Sequence, residues 1–448
     1  MSLLHAGFFY DMNLQKSYIQ CTEYLYGLRR FGIKPGLSRI RKLLKALDDP
    51  QDRYSCIHIA GTNGKGSVAS GLSILLNDCG CSTGLYTSPH LIKFNERIQI
   101  NNRPISDDEV VDLYRSIEKK ISGTIQPTFF EYATAMAFYE FGRRKVDWAV
   151  IETGMGGRLD ATNVIPRPAL TIITTISLEH KAYLGNSIAR ITAEKGGIIK
   201  RGVPVVSGVR QPEANEILET IARDRNAPFY RLGHDFKVRQ NPTGTFNYYG
   251  VEHTWRNLEH SLPGRHQTDN AALVLSACEI LGKHHHLRIS TEAVHSALRR
   301  NNWPGRLEII SRAPLILLDG AHNLNAARQV AKYLTDHTGN KKLTLVIGIL
   351  DDKPFRGMLN CLVPLAQNVI LTRPKTERAV NPERLFRVAA PMVADCRIIP
   401  DVGEAVEYAV LTASPDQTIC IAGSLYLVGE AKAKFLQTPE LLRPKCFS

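Results

Sequence analysis

Short apolar runs rich in β-branched residues recur along the chain, and segments with helical periodicity separate them. Such runs occupy residues 56–60, 148–151 and 170–176, and a helical segment at about 67–78 follows the first of them. Continuous apolar strands that alternate with helices are typical of a parallel sheet covered by helices on both faces. The sequence therefore predicts an α/β fold.

A turn-forming cluster at 301–306 (NNWPGR) separates two α/β series. With 448 residues the chain is too long for one ordinary core. We therefore predict a P-loop-type parallel-sheet ATPase domain at residues 1–300, followed by a smaller Rossmann-like α/β domain at 301–448. A stretch rich in Tyr, Asn, Gly and Thr at 229–262 predicts a β-hairpin excursion in the first domain. The strands predicted in the second domain are 315–318, 343–347, 368–371 and 418–422.

The composition narrows the classes of partner. Lys and Arg number 56 against 43 Asp and Glu, which gives a net charge of +13 and favours anionic partners such as nucleotides and polycarboxylates. These charges are spread along the chain, so we expect no nucleic-acid partner. The nine scattered cysteines form no CxxC pair, which argues against a disulfide framework or a zinc site. Without a long apolar run or a signal-peptide pattern, we expect a cytoplasmic protein with no membrane partner.

A glycine-rich loop lies between the first apolar run and its helix. Glycines let backbone N–H groups close around phosphate oxygens, and the helix N-terminus adds partial positive charge. Lys65 can reach the terminal phosphates, and Ser67 can ligate Mg²⁺. Gly66 separates these two residues, so the loop departs from the GxxxxGK[ST] pattern, and a glycine-rich turn with an incidental lysine is the alternative. The predicted ATP-binding residues are Gly61, Thr62, Asn63, Gly64, Lys65, Gly66 and Ser67.

A single acid, Glu152, ends the apolar run at 148–151. In an open parallel sheet the carboxyl end of a strand is the usual position of a ligand site. A buried carboxylate is costly unless it is ionically paired or bound to a metal. The residues alone leave both of these options open.

Several segments resemble the folylpolyglutamate synthase/dihydrofolate synthase family, relatives of the Mur cell-wall ligases, and the bifunctional bacterial type is our central expectation. Together they span about residues 24 to 430. The segments are AGTNGKGS at 60–67, TSPHL at 87–91, GGRLDATN at 156–163, LPGRHQTDNAA at 262–272, WPGR at 303–306 and DGAHN at 319–323.

The resemblance implies a Mg²⁺ site with ATP as co-substrate. The implied metal ligands are Ser67, Ser88, Glu152 and His180. Glu179 stands where the family usually has an aspartate. The segment AEKGGIIK is similar to a family segment with a carbamylated lysine, which implies a carbamate on Lys195; an unmodified, salt-bridged lysine is the alternative. The implied catalytic residues are Lys65, Lys195 and His322.

The resemblance also assigns binding residues. It implies that Asn270, Arg306 and Asp319 bind the nucleotide, and that His322 and Ser424 place the incoming glutamate. Aromatic residues at helical spacing are more often part of a core, which is the alternative for those assigned to the acceptor. The implied pterin-side residues are Ile33, Lys34, Pro35, Phe129, Phe130, Glu131, Leu159, Asp160 and Ala161.

We therefore expect a monomeric ATP-dependent ligase that activates a carboxylate as an acyl phosphate and joins it to L-glutamate. The acceptor is dihydropteroate, a reduced folate or both, and the motifs do not choose between them. A Mur-type ligase of cell-wall precursors is one alternative, disfavoured because the TSPHL and pterin-side segments match the folate branch. A non-catalytic P-loop ATP-binding regulator is another; it predicts slow ATP turnover that neither folate nor glutamate stimulates.

Overall fold

The computed structural model describes residues 3–32, 34–121, 125–339 and 342–442, so the prediction for Ile33 lies outside the described residues. The chain divides into two compact units. The first comprises Met1–His260 and Thr268–Asn301, and the second comprises Ser261–Gln267 and Asn302–Ser448.

An eight-stranded sheet forms the centre of the first unit. Its strands are β1 (Ser55–Ala60), β2 (Thr83–Tyr86), β3 (Ile98–Ile100), β4 (Arg103–Pro104), β5 (Trp148–Glu152), β6 (Leu170–Ile173), β7 (Val205–Ser207) and β8 (Phe229–Arg231). They follow the order β4-β3-β2-β5-β1-β6-β7-β8. Strands β2, β5, β1, β6, β7 and β8 are parallel to one another, and β3 and β4 form an antiparallel edge next to β2.

The central strands β1, β5 and β6 are buried along nearly their whole length. In register, Ile57 of β1 pairs with Val150 on one side and Leu170 on the other. Their continuous apolar sequence is explained by this position, because helices cover both faces of the sheet. The predicted α/β architecture is confirmed, and the carboxyl ends of the three strands meet at one edge.

Within the described residues, ten α-helices precede residue 301. They are α1 (Leu3–Gly27), α2 (Ser38–Ala46), α3 (Lys65–Asp78), α4 (Asp107–Lys120), α5 (Phe129–Arg144), α6 (Lys181–Leu184), α7 (Ile188–Gly196), α8 (Pro212–Asp224), α9 (His266–His285) and α10 (Thr291–Arg300). Side-chain caps define several of their starts: the hydroxyls of Ser106, Thr128 and Ser187 accept hydrogen bonds from the first turns of α4, α5 and α7. Within the described residues, no helix has the length and apolar character needed to cross a membrane.

The predicted β-excursion is a three-stranded antiparallel sheet. Its strands are β9 (Lys237–Gln240), β10 (Phe246–Tyr249) and β11 (Thr254–Leu258). The predicted stretch began too early, because β8 at its start belongs to the main sheet.

A buried carboxylate fastens this small sheet to α9. Glu279 of α9 is 2% exposed and accepts hydrogen bonds from the Tyr248 hydroxyl at 2.6 Å and from the backbone N–H groups of Val251 and His253 at 3.1 and 2.6 Å. Because a buried charge needs such partners, the turn between β10 and β11 is held in one position.

The second unit contains a six-stranded sheet with helices between its parallel strands. The strands are β12 (Glu308–Arg312), β13 (Leu315–Asp319), β14 (Leu343–Ile347), β15 (Asn368–Leu371), β16 (Asp395–Ile398) and β17 (Thr418–Ala422). They follow the order β12-β13-β17-β14-β15-β16, and only β12 is antiparallel. The helices are α11 (Leu324–Thr338), α12 (Phe355–Leu362), α13 (Pro382–Ala389), α14 (Val402–Thr412) and α15 (Leu425–Gln437). The predicted Rossmann-like α/β fold is confirmed.

Candidate active site

The loop between β1 and α3 has the form of a phosphate cradle. Gly64 has φ +88°, a conformation that favours glycine, and α3 begins directly after it at Lys65 without a side-chain cap. A Cβ on Gly61 would lie 1.9 Å from Thr174 Oγ1, and one on Gly64 would lie 2.5 Å from Asn270 Oδ1. Both positions therefore require glycine, and Asn270 of α9 lies beside the loop.

Hydrogen bonds to the segment after β6 hold this loop in place. Thr62 N donates to Thr175 O at 2.7 Å, and Ser177 N donates to Thr62 Oγ1 at 3.0 Å. The Thr174 hydroxyl donates to Asn63 O at 2.7 Å. The cradle is thus fixed by the fold before any phosphate arrives, which lowers the cost of binding.

Lys65 folds back over the loop. Its Nζ donates to the carbonyl oxygens of Gly61 and Thr62 at 3.1 and 3.2 Å, and it lies 3.9 Å from Glu152 Oε1. At 3.9 Å the two charges attract each other without a direct hydrogen bond. An ammonium on a flexible stem, next to open helix N–H groups, can neutralise phosphate charge.

Glu152 ends β5 and is 4% exposed. Its Oε2 accepts a hydrogen bond from Ser88 N at 3.0 Å, so the phosphate loop and the Ser88 loop meet at this carboxylate. The structure thus brings together the predicted Lys65, Ser88 and Glu152, whose positions in the sequence are far apart.

The oxygen donors at this edge fit a magnesium ion. Within the described part of the chain, no three His, Cys, Asp or Glu side chains form a group that could hold a metal. Mg²⁺ commonly takes only one or two protein carboxylates and completes its shell with phosphates and water. Glu152 and the hydroxyl of Ser67, which is 2% exposed at the start of α3, are donors of this kind. The Ser177 hydroxyl is buried without a hydrogen-bond partner among the described residues, so the edge holds a further oxygen.

Glu179 and Lys195 form a buried ion pair beside the loop. Lys195 Nζ lies 2.7 Å from Glu179 Oε1 and donates to Gly61 O at 2.7 Å. Burial would raise the pKa of Glu179, but the charges of Lys195, Lys65 and His180 outweigh it and lower the pKa to about 2. Burial lowers the pKa of Lys195 below its usual range, against the opposing effect of Glu179. His180 follows this pair and precedes α6 with φ +46°.

The predicted pterin-side residues of α5 have different surroundings. The Phe130 ring packs on Gly154, where an added Cβ would lie 2.4 Å from the ring Cζ, and its centroid lies 6.0 Å from that of Tyr86. Glu131 is 3% exposed, accepts a hydrogen bond from Thr128 N at 2.8 Å and pairs with Arg39 at 3.1 Å. Glu131 therefore has a structural role in the cap of α5, while Phe130 shapes the surface of the β5 loop.

Asp160 is fixed by several donors after β5. Its carboxylate accepts from Met155 N at 2.8 Å and from the Thr162 hydroxyl at 2.5 Å. Because this hydroxyl donates to Asp160, it accepts from His58 Nε2 at 2.8 Å, which assigns the ring proton to Nε2. Burial raises the pKa of Asp160 despite these bonds. Of its neighbours, Leu159 is 36% exposed and Ala161 is 7% exposed.

His58 gives the protein a pH-dependent stability. Burial and Lys200 lower its pKa from 6.5 to about 3. Between these pH values the unfolded chain binds a proton that the folded chain does not, so the free energy of unfolding falls as the pH falls, by up to about 1.4 kcal/mol per pH unit. We expect His58→Gln, which retains an N–H donor for Thr162, to lose this slope in urea unfolding at pH 7 and 4.5. His234→Gln, at an exposed site, is the control; parallel curves for wild type and His58→Gln would contradict the assignment.

The resemblance's assignment of Phe130 to the pterin side predicts that Gly154 controls how the acceptor binds. In Gly154→Ala the new methyl group must displace the Phe130 ring, so we expect the KM for the pterin substrate to rise about tenfold, equivalent to about 1.4 kcal/mol, with an unchanged KM for ATP. Steady-state kinetics with each substrate varied in turn measures this. Gly27→Ala is the control, because no atom lies within 4 Å of the added Cβ. An equal rise in both KM values would argue against a role for Phe130 at the acceptor.

A cationic aromatic cluster near the Ser88 loop was not predicted. The guanidinium groups of Arg29 and Arg97 lie 4.9 and 5.0 Å from the Phe129 ring centroid. Arg97 Nε donates to His90 Nδ1 at 2.8 Å, and His90 Nε2 lies 3.3 Å from the Tyr26 hydroxyl. Burial and the two arginines lower the pKa of His90 to about 2, so the ring is neutral. Its members are far apart in sequence, and the only signals were that His90 is the histidine of the TSPHL motif and that the resemblance assigned Phe129 to the acceptor.

Two of the four residues predicted in the second unit lie at the carboxyl ends of neighbouring parallel strands. Asp319 ends β13, is 6% exposed and accepts from Leu307 N and Ala321 N, each at 2.8 Å. Burial raises its pKa, and Arg306 opposes this shift. Ser424 follows β17, which pairs with β13, and its hydroxyl caps α15 by accepting from Leu427 N. The carboxyl ends of these strands thus carry a carboxylate and a hydroxyl at one edge.

His322 lies just after Asp319 in the loop between β13 and α11. Its Nδ1 lies 2.8 Å from Gly320 O, and the carbonyl must accept, so Nδ1 carries the proton. A Cβ on Gly320 would lie 3.4 Å from Arg306 Nη1, so the guanidinium of Arg306 is also at this loop.

Two domain families match the chain. The Mur ligase middle domain matches residues 59–278, and the Mur ligase glutamate ligase domain matches residues 305–425. The dihydrofolate synthase/folylpolyglutamate synthase of Bacillus subtilis is 36% identical over 429 residues, which cover 93% of this chain and 99% of that protein. The chain belongs to the folylpolyglutamate synthase/dihydrofolate synthase family of Mur ligases. Members of this family are ATP-dependent ligases, and this chain is therefore an enzyme of that class.

Solved structures of the folylpolyglutamate synthase/dihydrofolate synthase family have the same fold. Mycobacterium tuberculosis folylpolyglutamate synthase complexed with ADP matches with a TM-score of 0.88 and 33% identity, over 94% of this chain and 99% of that chain. Escherichia coli FolC in complex with DHPP and ADP matches with a TM-score of 0.86 and 26% identity, over 94% and 98% of the two chains. The enzyme from Yersinia pestis, complexed with AMPPNP and a Mn ion, matches with a TM-score of 0.84 and 29% identity, over the same shares.

Proposed function

We propose that this enzyme adds L-glutamate to dihydropteroate and to the glutamate tail of reduced folates, with ATP as co-substrate. The observation that carries the proposal is the meeting of the phosphate loop, Lys65 and Glu152 at one edge of the first unit's sheet, next to loops that carry the pterin-side motifs. The relatives' names, which pair the two activities, support both acceptors.

The phosphate chemistry belongs to residues of the first unit. Lys65 and the N–H groups at the start of α3 neutralise the γ-phosphoryl group while the acceptor carboxylate attacks it in line. This transfer gives an acyl phosphate and ADP. The amino group of glutamate then attacks the acyl carbon, loses a proton and displaces phosphate to form the amide. Asn270, beside Gly64, contacts the nucleotide.

Ser67, Ser88, Glu152 and His180 would hold Mg²⁺, which supplies charge neutralisation of the phosphates when bound. The oxygen donors fit this ion, as described above. The carbamate that the resemblance implies on Lys195 is part of this proposal, and no step of the proposed reaction depends on it.

We assign the acceptor to the surface formed by the start of α5 and the loop after β5. Phe129 and Phe130 offer flat aromatic faces to a pterin ring, and the fixed carboxylate of Asp160 accepts hydrogen bonds from ring N–H groups. Lys34 and Pro35 are exposed, as a substrate contact requires. Leu159 and Ala161 complete the proposed set together with Glu131, whose carboxylate also caps α5.

The second unit supplies the remaining proposed residues. Arg306 and Asp319 bind the nucleotide, and His322 and Ser424 place the incoming glutamate. The functional division, with ATP and pterin binding in residues 1–300 and glutamate ligation in 301–448, is part of this proposal. A monomer in the cytoplasm remains our prediction.

The test is ADP release by the purified protein with Mg-ATP, glutamate and either dihydropteroate or tetrahydrofolate, with mass analysis of the product. A gain of one glutamate residue on both acceptors is the expected result. A gain on one acceptor narrows the activity to one of the pair. ATP turnover that neither acceptor stimulates would reject the proposal in favour of a cell-wall substrate or a regulatory role.

A further inference from the structure

Three separate segments carry the residues assigned to the acceptor, and helix α2 is adjacent to all of them. The buried face of α2 belongs to the same hydrophobic core as α5 and Ala161. Phe129 and Phe130 pack against this core from the start of α5. The third segment, Lys34 and Pro35, directly precedes α2 in the chain. Helix α2 is therefore fixed relative to the first two segments and is connected to the third.

The Lys34 segment gains little from apolar packing. Lys34 and Pro35 are exposed. Gly36 has φ +135°, a conformation that glycine adopts readily, and an added Cβ there would meet no atom within 4 Å. Ordering such a segment costs conformational entropy that burial does not offset, so its position depends on polar contacts.

Arg39, in the first turn of α2, supplies such contacts. Its Nη2 donates to Lys34 O at 2.5 Å, and its Nε donates to Glu131 Oε2 at 3.2 Å. The side chain of Arg39 is 31% exposed and that of Glu131 is 4% exposed, so the ion pair is partly shielded from solvent. Because the guanidinium is planar and holds its donors in fixed directions, this one side chain joins two segments of the chain.

Glu131 is a fixed partner for this guanidinium. Its carboxylate accepts from Thr128 N at 2.8 Å, and its own N–H donates to the Thr128 hydroxyl at 3.3 Å, which completes the capping box of α5. Phe129 and Phe130 lie between these two residues in the chain. Through Arg39, the backbone of Lys34 is thus fixed relative to the turn that carries the two aromatic rings.

We propose that Arg39 is a positioning residue for the acceptor: it holds the backbone of Lys34 against the start of α5, so that both segments bind the pterin ring as one preformed surface. Arg39 itself contacts no substrate. A preformed surface binds more tightly, because less of the protein must be ordered when the acceptor arrives. The link to the acceptor rests on the proposed function, whereas the ordering of Lys34 by Arg39 does not.

The first test needs no substrate. Amide ¹⁵N relaxation of full-length protein gives the order parameters of Lys34 and Gly36. We expect values near the rigid limit of about 0.85 in wild type and below about 0.6 in Arg39→Ala, with no change in α3. Arg41→Ala is the control, because this arginine of α2 is exposed, and it should match wild type. Unchanged order parameters in Arg39→Ala would overturn the proposal.

The second test connects the segment to the acceptor. We expect Arg39→Ala to raise the KM for the acceptor about tenfold, because the binding-competent arrangement becomes a minor one, while kcat and the KM for ATP change less than about threefold. Arg39→Lys should give an intermediate KM, since an ammonium lacks the planar fork that serves both partners. Arg41→Ala should again match wild type.

Two outcomes of these kinetics would contradict the proposal. A mobile Lys34 with an unchanged acceptor KM would show that its position is irrelevant to binding, and an equal rise in both KM values would show a general structural loss. Wild type without acceptor-dependent ADP formation would instead reject the proposed function, and with it the link to the acceptor, while the relaxation result would stand.

A further variant separates positioning from the effect of an unpaired charge. Arg39→Ala leaves the carboxylate of Glu131 buried without its cation. In Arg39→Ala/Glu131→Gln that charge is removed, and the amide oxygen can still accept from Thr128 N. We expect its acceptor KM to stay at least as high as that of Arg39→Ala. A return towards the wild-type KM would overturn the positioning role. Should Arg39→Ala fail to fold, Arg39→Lys and the double variant decide both tests.

Discussion

Lys65→Ala is expected to lower glutamate-dependent ADP formation about 10³-fold, which corresponds to about 4 kcal/mol of transition-state stabilisation. The ammonium of Lys65 rests on the carbonyls of Gly61 and Thr62, within the length of one side chain of the phosphates that the loop would hold. Its charge acts most strongly on the phosphoryl group in transit. The loss should therefore appear in kcat, measured with all substrates saturating.

The affinity for Mg-ADP is the companion measurement for Lys65→Ala. The backbone N–H groups of the cradle remain, so calorimetry should show a change of about tenfold or less in Kd. Lys45→Ala is the matched control, because its side chain is 84% exposed on α2. Near-normal turnover in Lys65→Ala would remove the loop from the proposed reaction.

Glu152→Gln is expected to lower kcat about 100-fold and to raise the Mg²⁺ concentration needed for half-maximal rate. Glutamine has the same shape, and its amide oxygen can still accept from Ser88 N, so the local fold should persist. Only the negative charge is lost, and with it an oxygen ligand of the kind that Mg²⁺ prefers. Steady-state rates across a Mg²⁺ titration give both quantities.

The control for Glu152→Gln is Glu216→Gln, at an exposed position of α8. Thermal unfolding without nucleotide separates stability from metal binding, and we expect the two variants to unfold near the wild-type Tm. A wild-type rate with an unshifted Mg²⁺ titration would show that Glu152 is an ion-pair partner of Lys65 rather than a metal ligand.

The architecture could be predicted where local sequence determines burial. β1, β5 and β6 are apolar throughout because helices cover both of their faces, and this pattern is visible in a window of a few residues. The edge strands β12 and β16 were missed because they are half-buried and contain charged residues. Helix α1 was missed because its apolar residues are spread around the helix rather than confined to one face.

In the candidate site, too, features that lie within a few consecutive residues could be predicted, and contacts between distant residues could not. Loops such as Gly61–Ser67 could be predicted because the required glycines, lysine and hydroxyl are consecutive. The contact of His58 with Thr162, and that of Lys195 with Gly61, join residues more than 100 positions apart. Sequence spacing contains no information on such contacts, since they depend on which strands become neighbours in the sheet.

The carboxylate of Glu279 has a consequence for how the protein opens. It accepts hydrogen bonds from both β10 and the turn that follows. Separating the small sheet from α9 would therefore leave the buried carboxylate of Glu279 without hydrogen-bond donors. The turn amides of Val251 and His253 should therefore exchange their hydrogens with solvent only when α9 itself unravels. We therefore expect the small sheet and α9, which carries Asn270, to unfold together, so that unfolding at the turn between β10 and β11 also disturbs the helix beside the phosphate loop.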